Sequence, residues 1–424
     1  MYRGQPNVWL LRLVVALFAL GTVPYVERDV FHQDDSLLQP ILEVSSVVFG
    51  ALLVLCATLA YRPKLFLSTP YALFVGTFLL ALASSTRSWD PLFSLTRGGL
   101  LLLISVSAAV LLQIYGLKAF LRSLLNAYVI VVLFGLVAGL AAPEIFPLIL
   151  SDPGEETLRA RLHLFKIHPT ALADDCAIAL IVSVLFRGHW AAFCRLVLAT
   201  CLLLTVGRSS ILFGLPLYLL AETLQAGNLS SAIKRLRLIG AAAALIILAT
   251  GAVASLSDGN PAQDLQDTVV RLIDATKDNT TLNGRTTLWN MLIADLSPDN
   301  LYGYGVGGAR YYLRTVNPWF SHSHNSALET IYISGYLGLG LMTASLAGSL
   351  WLCASQWRRP STRVLFVGLC YVIAAGMMNT SWYDTSSLLI LSIACNANRA
   401  VEEQAQQRRL MTPLRVAPAA WSAS

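Results

Sequence analysis

Charged side chains are scarce in this chain, at 13% of its 424 residues. Soluble domains carry about twice that fraction, so an ordinary soluble globular protein is excluded. Paired cysteines are missing too: all seven cysteines lie within apolar runs, and none belongs to a C-x-x-C pair. Their placement argues against a disulfide framework and against a cysteine metal site.

Long apolar runs are abundant instead. Hydrophobic residues make up 56% of the chain, and a membrane-spanning helix needs about 20 mostly apolar residues. About twelve runs approach this length: 7–26, 37–60, 68–86, 98–116, 124–142, 170–187, 190–206, 209–225, 237–257, 326–356, 364–381 and 385–399. The first run lacks a small-residue cleavage site, so we interpret it as a retained span. The sequence therefore predicts an all-α, polytopic membrane protein with about 12 transmembrane helices.

The net charge of +6 is distributed unevenly among the loops. With the N-terminus inside the cell, Lys and Arg concentrate in the inner loops, whereas most acidic residues fall in the outer loops. Because short loops rich in Lys and Arg stay in the cytoplasm, both termini are predicted to be cytoplasmic, as in a multi-pass protein of a bacterial inner membrane. Topology alone accounts for the positive charge, and no nucleic-acid partner is needed.

Four regions are predicted along the chain. Residues 1–257 hold nine spans, 258–325 form a long periplasmic loop, 326–399 hold three spans, and 400–424 form a polar cytoplasmic tail.

The long loop contains two stretches with helical periodicity, namely Leu265, Val269, Leu272 and Ile273, and Leu288, Met291, Leu292 and Leu296. They predict either amphipathic helices on the membrane surface or a packed periplasmic subdomain. The glycine cluster at 303–308 lacks the strand, helix and acidic residue of a dinucleotide-binding fingerprint.

Ionisable residues within the apolar runs lie near the ends of those runs, with Arg12 and Arg195 near inner ends and four acidic residues, Glu43 among them, near outer ends. Asp174 and Asp175 follow Pro169, a favourable first helical residue, and Glu329 lies in the first turn of the run after Asn325. The membrane midplane is thus nearly free of charge, whereas transporters usually place ionisable groups or broken helices there. The distribution favours chemistry at the outer face over transport.

The segment SHSHNSALE, residues 321–329, carries the strongest local signal. Ser326 and Glu329 have the spacing of a capping box, which predicts a helix that begins at Ser326. His324 then lies just before a helix N-terminus, which attracts anionic groups, and its imidazole can act as a base or as a hydrogen-bond donor. A histidine that only hydrogen-bonds its own loop is the alternative. His322 is given a supporting role. Zinc binding by the two histidines is disfavoured, because no third ligand or H-E-x-x-H pattern accompanies them.

The segment GRSS, residues 207–210, joins two apolar runs of about 17 residues each. Both runs are short for a bilayer, so Arg208 is predicted to lie within the outer leaflet and to need a partner. Two interpretations stay open. Arg208 forms a salt bridge with an aspartate, or its planar guanidinium recognises a lipid diphosphate. The candidate aspartates are Asp174, Asp175 and Asp384.

The outer turn between the last two runs holds Trp382, Tyr383 and Asp384. The two aromatic residues are expected to anchor in the membrane interface. Asp384 is a candidate to orient a histidine or to bind a sugar hydroxyl.

Together these motifs resemble the O-antigen ligase and polymerase superfamily. The resemblance rests on the order of four short motifs: GRS at 207–209, LNGR at 282–285 with Leu288-Trp289, HNSALE at 324–329, and GYLG at 335–338. Each motif is only moderately specific, and their ordered combination is much stronger.

The resemblance implies a GT-C-type glycosyltransferase that transfers a glycan from undecaprenyl diphosphate to lipid A–core. The reaction would take place on the periplasmic face, with inversion and without metal or cofactor, and membrane lipids would surround the enzyme. His324 and Arg208 would be catalytic, and Arg208 and Arg285 would bind the diphosphate. The further residues that would bind substrate are Arg161, Asn325, His322 and Asp384.

Two alternatives remain. An O-antigen polymerase has overlapping motifs, so the acceptor is the least determined feature. A flippase or transporter for lipid-linked glycan would need a polar path across the membrane, which the charge-poor midplane argues against.

Overall fold

The computed structural model describes residues 7–21, 38–63, 68–141, 149–150, 161–162, 169–205, 207–230, 232–241, 285–316 and 322–397. The helices are α1 (Val8–Gly21), α2 (Leu38–Tyr61), α3 (Thr69–Ser84), α4 (Pro91–Tyr115), α5 (Leu117–Ala141), α6 (Pro169–Ser183), α7 (His189–Leu204), α8 (Arg208–Ala226), α9 (Arg285–Asp295), α10 (Gly308–Val316), α11 (Ser326–Ser355), α12 (Pro360–Gly376) and α13 (Thr385–Cys395). Short 3-10 turns lie at Ser85–Arg87 and Ser381–Tyr383, and residues 232–241 are helical. Two-residue strands, β1 (Ile149–Leu150) and β2 (Arg161–Leu162), pair antiparallel.

Five helices within these ranges are long and apolar enough to cross a membrane: Val44–Tyr61, Thr69–Arg87, Pro91–Tyr115, Leu117–Ala141 and Ser326–Ser355. Four shorter apolar helices accompany them, at Val8–Ala19, His189–Leu204, Pro360–Gly376 and Thr385–Cys395. The predicted helical class is confirmed, and the five long helices are candidate membrane spans. The count of 12 spans and the GT-C resemblance stay predictions, and most of the run 237–257 lies outside the described residues.

Large apolar side chains on the outside of the bundle point to a lipid environment. Leu59 is 68% exposed, Leu140 is 76% exposed and Trp351 is 75% exposed. Such a surface is unfavourable in water, but it matches the hydrocarbon around a spanning helix.

Helix α6 runs through the middle of the bundle. Its apolar side chains from Leu172 to Val182 are almost completely buried, because α5, α7, α8, α12 and α13 all pack against it. Protein on every side allows α6 to carry two aspartates without presenting them to lipid, where a charge would be costly.

Helix α11 is broken at Gly335, where φ is 70° and ψ is −175°. The break leaves backbone groups without helical partners, and residues 300–305 supply new ones. Tyr304 N and Gly305 N donate to the carbonyls of Tyr332 and Ile333 at 2.7 and 2.9 Å. The glycine cluster at 303–308 is thus a backbone-pairing segment that docks on a membrane helix.

Helices α9 and α10 pack on α11 through a small second core. Leu288 and Leu292 of α9 meet Leu313 of α10 and Tyr332 of α11. The periodicity predicted around Leu288 is therefore a helix that packs on the bundle. The stretch 265–273 and the tail 400–424 lie outside the described residues.

Candidate active site

Several helix termini meet at one end of the bundle, which we call the site end. Helices α6, α8 and α11 begin there, and α12 ends there. The residues between α12 and α13 join these termini, and we call them the 377–384 connector.

The histidine motif forms the start of α11 as predicted, but the capping residue differs. The helix begins at Ser326, and the side chain of Asn325 accepts hydrogen bonds from Ala327 N and Leu328 N. The capping box with Ser326 as the cap is therefore wrong. Glu329 still reaches back, but it accepts from the backbone N–H of Ser323 at 3.1 Å.

His324 occupies the left-handed region, with φ of 49°. This conformation is uncommon for residues other than glycine, and a tight loop holds it. Ser323 Oγ donates to the Asn325 carbonyl at 2.8 Å and accepts from Asn325 N at 3.3 Å. Trp289 Nε1 of α9 donates to the Ser323 carbonyl at 2.9 Å. The ring of His322 lies 4.0 Å from that of His324, centroid to centroid, so the two histidines are neighbours.

Arg208 is the first residue of α8, and two residues later the helix is tied to α6. Ser210 Oγ donates to Asp174 Oδ1 at 2.6 Å. Tyr371 OH of α12 donates to the same oxygen at 2.5 Å, and Asn379 Nδ2 approaches Asp174 Oδ2 at 3.4 Å. Asp174 therefore binds the first turn of α8 to α12 and to the connector.

Arg285 begins α9 and reaches the same place. Its NH1 donates a short hydrogen bond to the Met378 carbonyl in the connector. Its charge also acts favourably on the carboxylate of Asp174. The second arginine of the motif set thus lies beside the aspartate that holds the first turn of α8.

The connector also binds the start of α11. Asn325 Nδ2 donates to the Met377 carbonyl at 3.2 Å, and Ser326 Oγ donates to the Asn379 carbonyl at 2.9 Å. Residues 377–379 consequently contact Arg285, the start of α11 next to His324, and Asp174, through which they are linked to the first turn of α8.

The aromatic residues of the connector are buried, which contradicts the prediction that they anchor in the membrane interface. Trp382 is 3% exposed and Tyr383 is 6% exposed. Trp382 Nε1 donates to the Val372 carbonyl at 3.0 Å, and the Tyr383 hydroxyl lies 2.6 Å from Thr330 Oγ1. Their role is to fix the connector to α12 and α11.

Asp384, the last residue of the connector, lies near the two aspartates of α6. Burial raises the pKa of Asp384 well above the usual value, and the carboxylates of Asp174 and Asp175 raise it further. A raised pKa favours the protonated carboxyl, which can donate a hydrogen bond to a sugar oxygen.

The remaining site candidate is Arg161. It belongs to β2, where its backbone pairs with Leu150. Among the described residues, no three side chains of His, Cys, Asp or Glu are grouped as metal ligands.

Sequence reasoning missed Tyr371 and Asn379. The apolar run 364–381 predicts one span, but α12 ends at Gly376. The polar residues Asn379, Thr380 and Ser381 were the signal that could have revealed the connector.

Part of the chain matches a known protein family. None of the curated proteins compared with the chain matches it. The family model described as O-antigen ligase matches residues 177–343, which include Arg208, Arg285 and His324. Asp174 and the connector lie outside the matched residues. On this match, residues 177–343 of the chain are similar to the O-antigen ligase family.

Proposed function

We propose that this protein is an O-antigen ligase that transfers a glycan from undecaprenyl diphosphate to lipid A–core at the periplasmic face of the inner membrane. One observation carries the proposal. Residues 377–379 contact Arg285, the cap of the helix that follows His324, and Asp174, which holds the first turn of the helix that Arg208 begins, all at a single end of a membrane bundle.

This arrangement suits a reaction at a lipid headgroup. The donor's diphosphate is anionic and sits at the membrane surface, where Arg208 and Arg285 can hold its oxygens with their planar guanidinium groups. The N-terminus of α11 adds a favourable dipole for negative charge. The diphosphate leaves as its bond to the sugar C1 breaks, and the two arginines stabilise the charge that develops on it.

His324 is assigned to the acceptor. Its imidazole takes the proton of the acceptor hydroxyl while that oxygen forms the new bond to C1, so a single displacement inverts the configuration. The left-handed backbone at His324 supports this assignment, because strained residues that the surroundings hold firmly cluster at functional sites.

The test is glycan transfer by the purified full-length protein with undecaprenyl-diphosphate-linked glycan and lipid A–core. We expect His324→Asn to lower the rate by about 100-fold or more, the usual contribution of general acid–base catalysis. Asn tolerates the left-handed region, so the loop keeps its shape. His189→Ala, at the opposite end of the bundle, is the control and should leave the rate unchanged. Parental activity of His324→Asn would remove His324 from the mechanism.

Arg208→Ala should weaken use of the donor at least about tenfold, since it removes charge-assisted hydrogen bonds to the diphosphate. Arg358→Ala removes an equal charge from the opposite end and serves as the control. Unchanged donor affinity in Arg208→Ala would return this arginine to a structural role.

The products separate the alternatives. Glycan on lipid A–core supports the ligase, and a lengthened donor glycan indicates a polymerase. Donor that crosses the membrane of a proteoliposome without any covalent product indicates a flippase.

A further inference from the structure

A cavity of about 340 Å³ lies at the end of the bundle opposite the connector. It sits where α6 and α8 end and where α5 and α12 begin. Helix α8, with 19 residues, separates the two ends by about 28 Å. The cavity is therefore independent of the candidate active site, and the loop charges place it on the cytoplasmic side.

Four cationic residues from different elements line this cavity: Lys118, Arg187, Arg195 and Arg235. A preference for positive cytoplasmic loops explains the sign of these charges. It does not explain why they converge on one cavity between five helical segments.

Arg195 shapes the cavity and does not offer its charge to a ligand. Its guanidinium donates to the carbonyls of Ser183 and Phe186, both at 3.0 Å, and lies 3.4 Å from Glu222. Its side chain is only 11% exposed. Arg195 thus satisfies the carbonyl end of α6, and Arg363 NH1 does the same at Leu224 near the end of α8, at 2.6 Å.

Three cations remain available at the cavity. Lys118 and Arg187 are exposed, and in the described part of the chain neither is assigned an ion pair. Arg235 uses one nitrogen on Glu222, at 2.7 Å, and its side chain remains 47% exposed. The carbonyl groups at the C-terminal ends of α6 and α8 already accept hydrogen bonds from Arg195 and Arg363. The cavity therefore presents a surplus of positive charge.

Backbone N–H groups at the cavity also favour the binding of an anion. Helix α12 begins at the cavity with Pro360 and Ser361, and its first turn has no side-chain cap. The N–H groups of an uncapped first turn are suited to phosphate oxygens.

The surroundings favour a lipid over a soluble anion. Next to Arg187, the first turn of α7 exposes Trp190 (47%) and Phe193 (41%). Amphipathic aromatic residues of this kind sit at the boundary between headgroups and acyl chains. A headgroup phosphate in the cavity would leave its acyl chains along this apolar surface.

We propose that this cavity binds the phosphate headgroup of an anionic phospholipid of the inner leaflet. Lys118, Arg187 and Arg235 contact the phosphate oxygens, and the first turn of α12 donates from its backbone. Basic pockets between transmembrane helices on the cytoplasmic side recognise anionic headgroups in this way.

The experiment measures binding to the full-length protein in detergent. The probes are short-chain phosphatidylglycerol, short-chain phosphatidylcholine and inorganic phosphate, and the readouts are the unfolding temperature and the affinity for each probe. We expect phosphatidylglycerol to bind and to raise the unfolding temperature. The double variant Lys118→Gln/Arg187→Gln should bind it about 30-fold more weakly, since each basic residue contributes at an anionic membrane surface.

The control is Arg237→Gln/Arg358→Gln, which removes the same charge from exposed positions at the same end but outside the cavity. It should bind phosphatidylglycerol like the parent. If the double cavity variant does not fold, the two single variants give the same comparison with smaller effects.

Three results would overturn the proposal. They are parental affinity of the cavity variants for phosphatidylglycerol, equal binding of phosphatidylcholine, and equal stabilisation by inorganic phosphate at the same concentration. The last result would make the cavity a site for soluble phosphate. Glycan transfer is not a readout here, so failure of this proposal leaves the proposed function untouched.

Discussion

At the scale of residues, the site is held together by side chains that bind backbone groups. Asn325 shows this best. Its Oδ1 accepts from two N–H groups of α11, and its Nδ2 donates to the Met377 carbonyl. Both polar ends of the side chain are therefore engaged within the protein, and the substrate-binding role of Asn325 stays a prediction.

The capping role of Asn325 leads to a stability prediction. Asn325→Ala should lower the free energy of unfolding by about 1 kcal/mol, the usual cost of losing an N-cap. Asn325→Asp keeps an acceptor for the two N–H groups and should stay close to the parent. Thermal unfolding of the detergent-solubilised variants measures the difference. An Asn325→Ala protein that unfolds at the parental temperature would show that the cap does not hold the start of α11.

Sequence reasoning predicted where α11 begins but could not choose the cap. Asn325 and Ser326 are both favourable capping residues, and the spacing to Glu329 favours Ser326. Tertiary contacts decide against it, because Ser326 Oγ donates to the Asn379 carbonyl and accepts from Trp382 N. These contacts depend on the connector, which apolar periodicity alone does not reveal.

At the scale of elements, the decisive feature is the break in α11. Within the apolar run of α11, the two glycines of the GYLG motif are the sequence signal for this break. The backbone groups that pair with the broken segment come from residues 300–305, which lie outside the run. A Cβ at Gly335 would lie 2.1 Å from the Leu301 carbonyl oxygen. The backbone of Gly335 also has a φ of 70°, which is unfavourable for residues with a side chain.

We therefore expect Gly335→Ala to destabilise the protein by about 3 kcal/mol or more, since strained backbone adds to a clash with a carbonyl. Gly340→Ala is the matched control, because a Cβ at Gly340 meets nothing within 4 Å and Ala favours helix by up to about 1 kcal/mol. Limited proteolysis near residues 300–305, together with thermal unfolding, compares the two variants. Equal stability of both would mean that loop docking on α11 contributes little.

At the scale of the whole molecule, the two ends of the bundle differ in chemistry. The connector end gathers buried aspartates, two motif arginines and a histidine pair, whereas the opposite end gathers cations around a cavity. The sequence predicts which end of the bundle faces the cytoplasm, because the short loops rich in Lys and Arg all fall at the same end. The distances between motifs were not predictable, since they depend on how the central helix α6 packs.

The orientation is open to a direct test with two matched cysteine substitutions. Ser297 lies beyond α9 at the connector end and Ser355 ends α11 at the opposite end, and both are exposed. In intact spheroplasts, a membrane-impermeant maleimide should label Ser297→Cys, whereas Ser355→Cys should react only after permeabilisation. The parent protein measures the background from its seven native cysteines. The reverse pattern would place the connector in the cytoplasm, away from a periplasmic acceptor, and would exclude a periplasmic ligase.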